Sequence, residues 1–179
     1  MRRFLLGRFT NEVGLNSPLI LYVRSMISKD LVKDIVVRLT KETAIFLVEI
    51  KVSSANKISV EIDSPQGITI EECVKMSRAI ESSLDRDTED FDLEVSSPGL
   101  TQPFRVFEQY QKNCGQQVDV VKLDGQKVNG LLQYADTEGI TLEISTKIKE
   151  AGQKRPRIVM QPLSLRYSEI KTTKLALNF

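Results

Sequence analysis

From Ser28, the stretch SKDLVKDIVVRLTKE places Leu31, Val32, Ile35, Val36 and Leu39 three and four residues apart, the period of one helical face. Ser28 stands at the N-cap position, and Asp30 falls in the first turn, where the helix dipole favours negative charge. The period then shortens to two. Phe46, Val48, Ile50 and Val52 alternate with Leu47, Glu49 and Lys51; after a turn at Ser53–Asn56, Ile58, Val60 and Ile62 alternate with Ser59 and Glu61. Two strands in a hairpin follow. Asp63, Ser64, Pro65, Gln66 and Gly67 break the sheet, and Thr69 with Glu72 forms a capping box that starts a helix reaching about Leu84. Its apolar stripe reads Ile70, Cys73, Val74, Met76, Ile80 and Leu84. A third strand sets Phe91, Leu93 and Val95 inward against Asp92, Glu94 and Ser96.

Helix, strand, strand, helix, strand makes a two-layer α+β unit over residues 28–97, with one sheet face covered by both helices. This αββαβ order is KH-like, yet no two of the nine glycines have the GxxG spacing that clamps a nucleic-acid backbone. Residues 98–115 read as a linker. Ser96, Ser97, Pro98 and Gly99 lead into it, and Pro103 is placed to open a short helix whose Phe104, Phe107 and Tyr110 share one side. Such an aromatic side either plugs the junction between two domains or presents an aromatic face to a partner, and the packing value of buried aromatic area favours the plug. From Gln116 to Phe179, short strands (118–123, 128–134, 140–144, then 161–166 and 170–178) are separated by turn signals, the pattern of a small antiparallel barrel. Gly130 lies inside a strand, where a missing Cβ permits sharp coiling, and Pro162 belongs at a sheet edge. Thr146–Arg157 reads as a long exposed loop carrying Lys147, Lys149, Lys154, Arg155 and Arg157.

The chain contains no histidine, which removes Ser-His-Asp triads, Cys-His pairs and HExxH zinc sites. Cys73 and Cys114 are too few for a zinc site built on thiolates, and two isolated cysteines suit a reducing cytoplasm. Gly125 and Gly130 have the spacing of a phosphate loop, but Leu131 and Leu132 stand where Lys and Ser or Thr are needed. Ser54 and Lys57 match SxxK only inside a tight hairpin, without the companion motifs. No catalytic group, metal or cofactor is expected.

Twenty-five basic and twenty-four acidic residues nearly cancel across 179 positions, but unevenly. Residues 29–97 carry nine basic and fifteen acidic side chains, whereas residues 98–179 carry twelve and eight. An acidic half and a basic half attract different partners over about a Debye length, ~8 Å in the cell. The first 27 residues read as a loosely ordered leader, basic at Arg2, Arg3, Arg8 and Arg24, with Met26 an alternative start. Their apolar runs are too broken for a membrane span or a secretory signal.

At the junction, Leu93–Leu100 spell LEVSSPGL, which closely resembles the signature of the bacterial ribosome maturation factor RimP family. The resemblance runs from about Ile27 to Phe179 and includes Val60–Asp63, Gly67, Ile68, Gln102, Pro103 and Phe104, and the closing Glu169, Ile170, Lys171 and Leu175. It implies an αββαβ domain joined to an Sm-like (SH3-like) barrel, and a cytoplasmic, non-catalytic factor that binds the immature small (30S) ribosomal subunit. Thr101 and Gln102 depart from the charged residues many relatives place beside the following proline.

On this reading, Glu61, Asp63, Asp92 and Glu94 give the first domain an acidic surface that prefers a basic small-subunit protein and repels bare 16S rRNA. The basic loop would meet phosphate, with affinity falling as salt rises. Ser96–Gly99 would set the angle between domains through the locked φ of proline and the freedom of glycine. A monomer is expected. The alternative is a general RNA-binding or RNA-chaperone module using the barrel.

Overall fold

Helix α1 (Lys29–Thr40) starts where its cap demands: Ser28 Oγ accepts the Leu31 N–H at 3.1 Å. A computed structural model describes residues 27–86, 90–148 and 157–176; the leader before Ile27 lies outside these. Val32, Ile35 and Val36 of α1 are buried against a sheet of β1 (Phe46–Val52), β2 (Lys57–Asp63) and β3 (Asp92–Ser96). The sheet order is β1-β2-β3, with β1 antiparallel and β3 parallel to β2. Helix α2 (Ile70–Ser83) supplies the crossover that parallel pairing requires. The capping box is complete: Glu72 N–H donates to Thr69 Oγ1 at 3.2 Å, and Thr69 N–H donates to Glu72 Oε2 at 2.8 Å.

The stripe of α2 is narrower than its sequence implies. Met76 and Ile80 are buried, but Ile70 is 79% and Val74 42% exposed, because β3 is the last strand of its sheet and no described strand lies beyond it.

The linker differs from expectation in register. Pro103 precedes the short helix rather than opening it: α3 spans Phe107–Lys112, and its first turn is held by Gln109, whose Oε1 accepts the Arg105 N–H at 2.7 Å and the Val106 N–H at 3.4 Å. The aromatic residues do serve packing. Tyr110 is buried, edge-on to Phe104 at 5.1 Å and to Tyr167 at 5.2 Å between ring centroids.

A second sheet has the order β7-β6-β5-β4-β8, all neighbours antiparallel: β4 (Gln117–Lys122), β5 (Lys127–Ala135), β6 (Gly139–Ile148), β7 (Arg157–Arg166) and β8 (Ile170–Leu175). A single 3-10 turn, Tyr167–Glu169, joins β7 to β8. No ladder among the described residues links β7 to β8, so the pairing stays an open five-stranded sheet and not the closed barrel expected. Pro162 lies on edge strand β7, where its missing N–H costs no ladder bond. The long basic loop contracts: β6 and β7 stay paired out to Ile148 opposite Arg157, which puts Thr146, Lys147 and Arg157 in the ladder. Val118, Val120, Leu132, Ile140, Leu142 and Leu165 form the core of this half, separate from that around α1 and α2.

Candidate functional site

Strand alternation puts Ile58, Val60 and Ile62 beneath the helices and turns Ser59, Glu61 and Asp63 to the sheet's other face. Register adds the rest of an acidic face: Glu49 lies opposite Glu61, and Glu94 lies opposite Ser59. Adjacent like charges on one sheet face oppose each other and need cations nearby. Lys51 Nζ meets Glu49 at 2.8 Å, and Lys57 Nζ lies 3.8 Å from Asp92.

Two more cations come from the linker. Arg105 bonds Glu49, and Lys112 on α3 holds both carboxylate oxygens of Asp63, at 2.7 and 2.9 Å. Asp63 also accepts the Ser64 N–H at 2.8 Å and is only 6% exposed. This changes the expected acidic surface. Asp63 is buried in an internal contact; Glu61 is half-buried, with Oε2 enclosed and lacking a hydrogen-bond partner among the described residues; Asp92 and Glu94 stand exposed on β3. Sequence reasoning missed Glu49, Arg105 and Lys112 as a set. The signal available in the sequence was that Arg105 and Lys112 fall off the side shared by Phe104, Phe107 and Tyr110.

Ser96 ends β3, and Ser97, Pro98 and Gly99 line a cavity of about 220 Å³ together with Asp63, Lys112 and other residues of both halves. Gly99 does not adopt a positive φ, and a Cβ there would meet nothing closer than Gln102 Cγ at 3.5 Å. Gly99 thus makes no use of the left-handed region, and the two ion pairs of Arg105 and Lys112 join the linker to the first sheet. Of the basic loop, Arg157 is exposed at the start of β7 and Lys147 lies in β6 opposite Ile158, while Lys149, Lys154 and Arg155 lie outside the described residues.

Burial, and secondarily the neighbouring Glu72 carboxylate, pushes the Cys73 thiol up, away from the reactive thiolate. No group of three or more His, Cys, Asp or Glu among the described residues could hold a metal ion. No described helix is long and apolar enough to cross a membrane.

Residues 35–101, from α1 through the junction, match the family described as the RimP N-terminal domain. A ribosome maturation factor RimP of Porphyromonas gingivalis is 42% identical over 126 residues, covering 70% of this chain and 83% of that one. The chain belongs to the RimP family of ribosome maturation factors. RimP of Christiangramia forsetii is 32% identical over 139 residues (78% of this chain, 90% of that one), and RimP of Flavobacterium psychrophilum is 29% identical over 155 residues (86% and 100%). The similarity to RimP proteins thus extends past the first sheet into the second.

Proposed function

We propose that the chain is a ribosome maturation factor that binds the immature small (30S) ribosomal subunit through a basic small-subunit protein and assists assembly without catalysing a reaction. Family membership across most of the chain carries this reading. It draws further support from the exposed carboxylates of Asp92 and Glu94, which favour a basic protein over bare RNA. The same reading divides the chain into a KH-like domain (28–97), a linker (98–115) and an Sm-like unit (116–179) acting as a cytoplasmic monomer. The strand order β7-β6-β5-β4-β8, with one 3-10 turn between the edge strands, favours the Sm-like description. Lys147, Lys149, Lys154, Arg155 and Arg157 are then the residues that face 16S rRNA.

Deleting the gene and profiling ribosomal particles tests the function: small-subunit precursors should accumulate, and normal profiles in both cold and warm growth would refute it. Binding of purified protein to precursor particles should survive moderate salt. Binding to isolated RNA with a steep salt slope would instead identify a general RNA-binding module.

A further inference from the structure

Strand β3 leaves one side of its backbone open. The Asp92 N–H donates to Asn56 O at 3.2 Å on the β2 side, so alternation turns the N–H and C=O groups of Leu93 and Val95 away from β2. No described residue pairs with them. An open row of donors and acceptors is a template for another strand. The opposite edge is less available: β1 is bulged between Leu47 and Glu49, and Arg105 is bonded to Glu49.

Beside the open edge runs a groove of about 480 Å³, lined by Ile70, Cys73, Val74 and Ser77 of α2 and by Leu93 and Val95 of β3. Ile70 and Val74, four residues apart on one flank of α2, are the exposed apolar side chains that this helix contributes. The two faces of an added strand would therefore meet unlike surroundings. Residues pointing toward α2 would enter the apolar groove; those between them would lie beside Asp92 and Glu94 on the opposite face. Lys57, 3.8 Å from Asp92, offsets part of that negative charge, so Glu94 dominates.

We propose that the β3 edge and the groove under α2 receive an extended segment of a protein partner as a fourth strand, with apolar residues alternating with Lys or Arg. The proposal rests on the functional reading above and names how the basic partner is held. Charge complementarity selects this occupant. A second copy of the chain, pairing antiparallel through β3 about Leu93, would set Asp92 of each copy opposite Glu94 of the other, an unfavourable arrangement of like charges.

The test uses the full chain and three fluorescein-labelled eight-residue peptides: valine alternating with lysine, the same residues in two blocks, and valine alternating with glutamate. Fluorescence anisotropy should show the alternating valine-lysine peptide binding at least tenfold more tightly than either of the others. Methylating the backbone nitrogens on one edge of that peptide should abolish binding, since strand addition depends on main-chain hydrogen bonds. Ile70→Glu, at a side chain too exposed to disturb folding, should weaken binding at least tenfold. Asp92→Lys with Glu94→Lys should transfer preference to the valine-glutamate peptide. Equal binding of alternating and blocked peptides, or indifference to Ile70→Glu, overturns the proposal. So does a dimer in sedimentation equilibrium that Ile70→Glu dissociates, because the occupant is then a second copy. Two further outcomes separate this proposal from the functional reading. A chain that takes the peptide but ignores small-subunit precursors retains the strand site and loses the function; precursor binding untouched by Ile70→Glu does the reverse.

Discussion

Asn56 shows how much one turn residue can carry. Its φ of 55° lies in the left-handed region, its Oδ1 accepts the Ile27 N–H at 3.4 Å, its Nδ2 donates to Asp90 O at 3.3 Å, and it is 2% exposed. One side chain thus ties the approach to α1 and the approach to β3 to the β1–β2 turn. Asn56→Ala leaves a buried N–H without a partner and strains the backbone, so it should cost about 3 kcal/mol in urea unfolding. Gly139 has a steric necessity of another kind, since a Cβ there would lie 2.2 Å from Leu165 O; Gly139→Ala should therefore lower the urea midpoint by the equivalent of roughly 3 kcal/mol or more. Tyr167 supplies a pH signature. Burial, with the nearby Tyr110, Asp136 and Cys114 adding to it, pushes its hydroxyl from 10 up to about 12. The unfolded chain ionises first, so stability should fall as pH rises from 10 toward 12. Tyr167→Phe should flatten that fall in urea midpoints measured across the range. These roles carry no sequence signature: Asn56 reads simply as the end of a turn.

At the scale of elements, the alternating and helical periods were legible, and so were the caps. Ser28, Thr69 and Glu72 make the hydrogen bonds their spacing implied. Thr69→Ala should accordingly lower stability by about 1 kcal/mol in thermal unfolding, because both hydrogen bonds of the capping box pass through its side chain or its backbone N–H. The reading of α2 erred where periodicity cannot help. With 3.6 residues per turn, its apolar residues spread over a wide arc, and only the part facing Met76 and Ile80 has a sheet beneath it. How far a sheet extends is a property of topology, and β3 as the last strand leaves Ile70 and Val74 uncovered. A similar limit explains β6 and β7. Lysines and arginines near the turn read as loop, yet the ladder of β6 and β7 continues to the pair Ile148–Arg157. Main-chain pairing tolerates exposed charge, so composition alone placed those strand ends too early.

At the scale of the whole molecule, the contrast between an acidic first half and a basic second half was read as two surfaces awaiting different outside partners. Part of that contrast is satisfied internally, by Lys112 on Asp63 and Arg105 on Glu49. The Lys112–Asp63 contact is largely buried, with side chains 23% and 9% exposed, so salt should screen it weakly; the arginine pair, at 35% and 20%, should respond more. Both pairs join the first sheet to the linker, whose Phe104 N–H bonds Thr173 O at 2.8 Å in the second sheet, so a continuous set of contacts runs from one half to the other. Lys112→Glu places a second carboxylate against that of Asp63 in a poorly solvated site and should open the junction. Small-angle scattering should then show a larger radius of gyration, and limited proteolysis should gain cuts between residues 97 and 106. Adding Asp63→Lys to Lys112→Glu restores opposite charges in the swapped order and should return both readouts toward the parent. If Lys112→Glu leaves the radius and the cleavage pattern unchanged, the ion pair decorates an interface fixed by other means, and the arrangement of the halves must then be sought in the packing around the Ser97–Gly99 cavity.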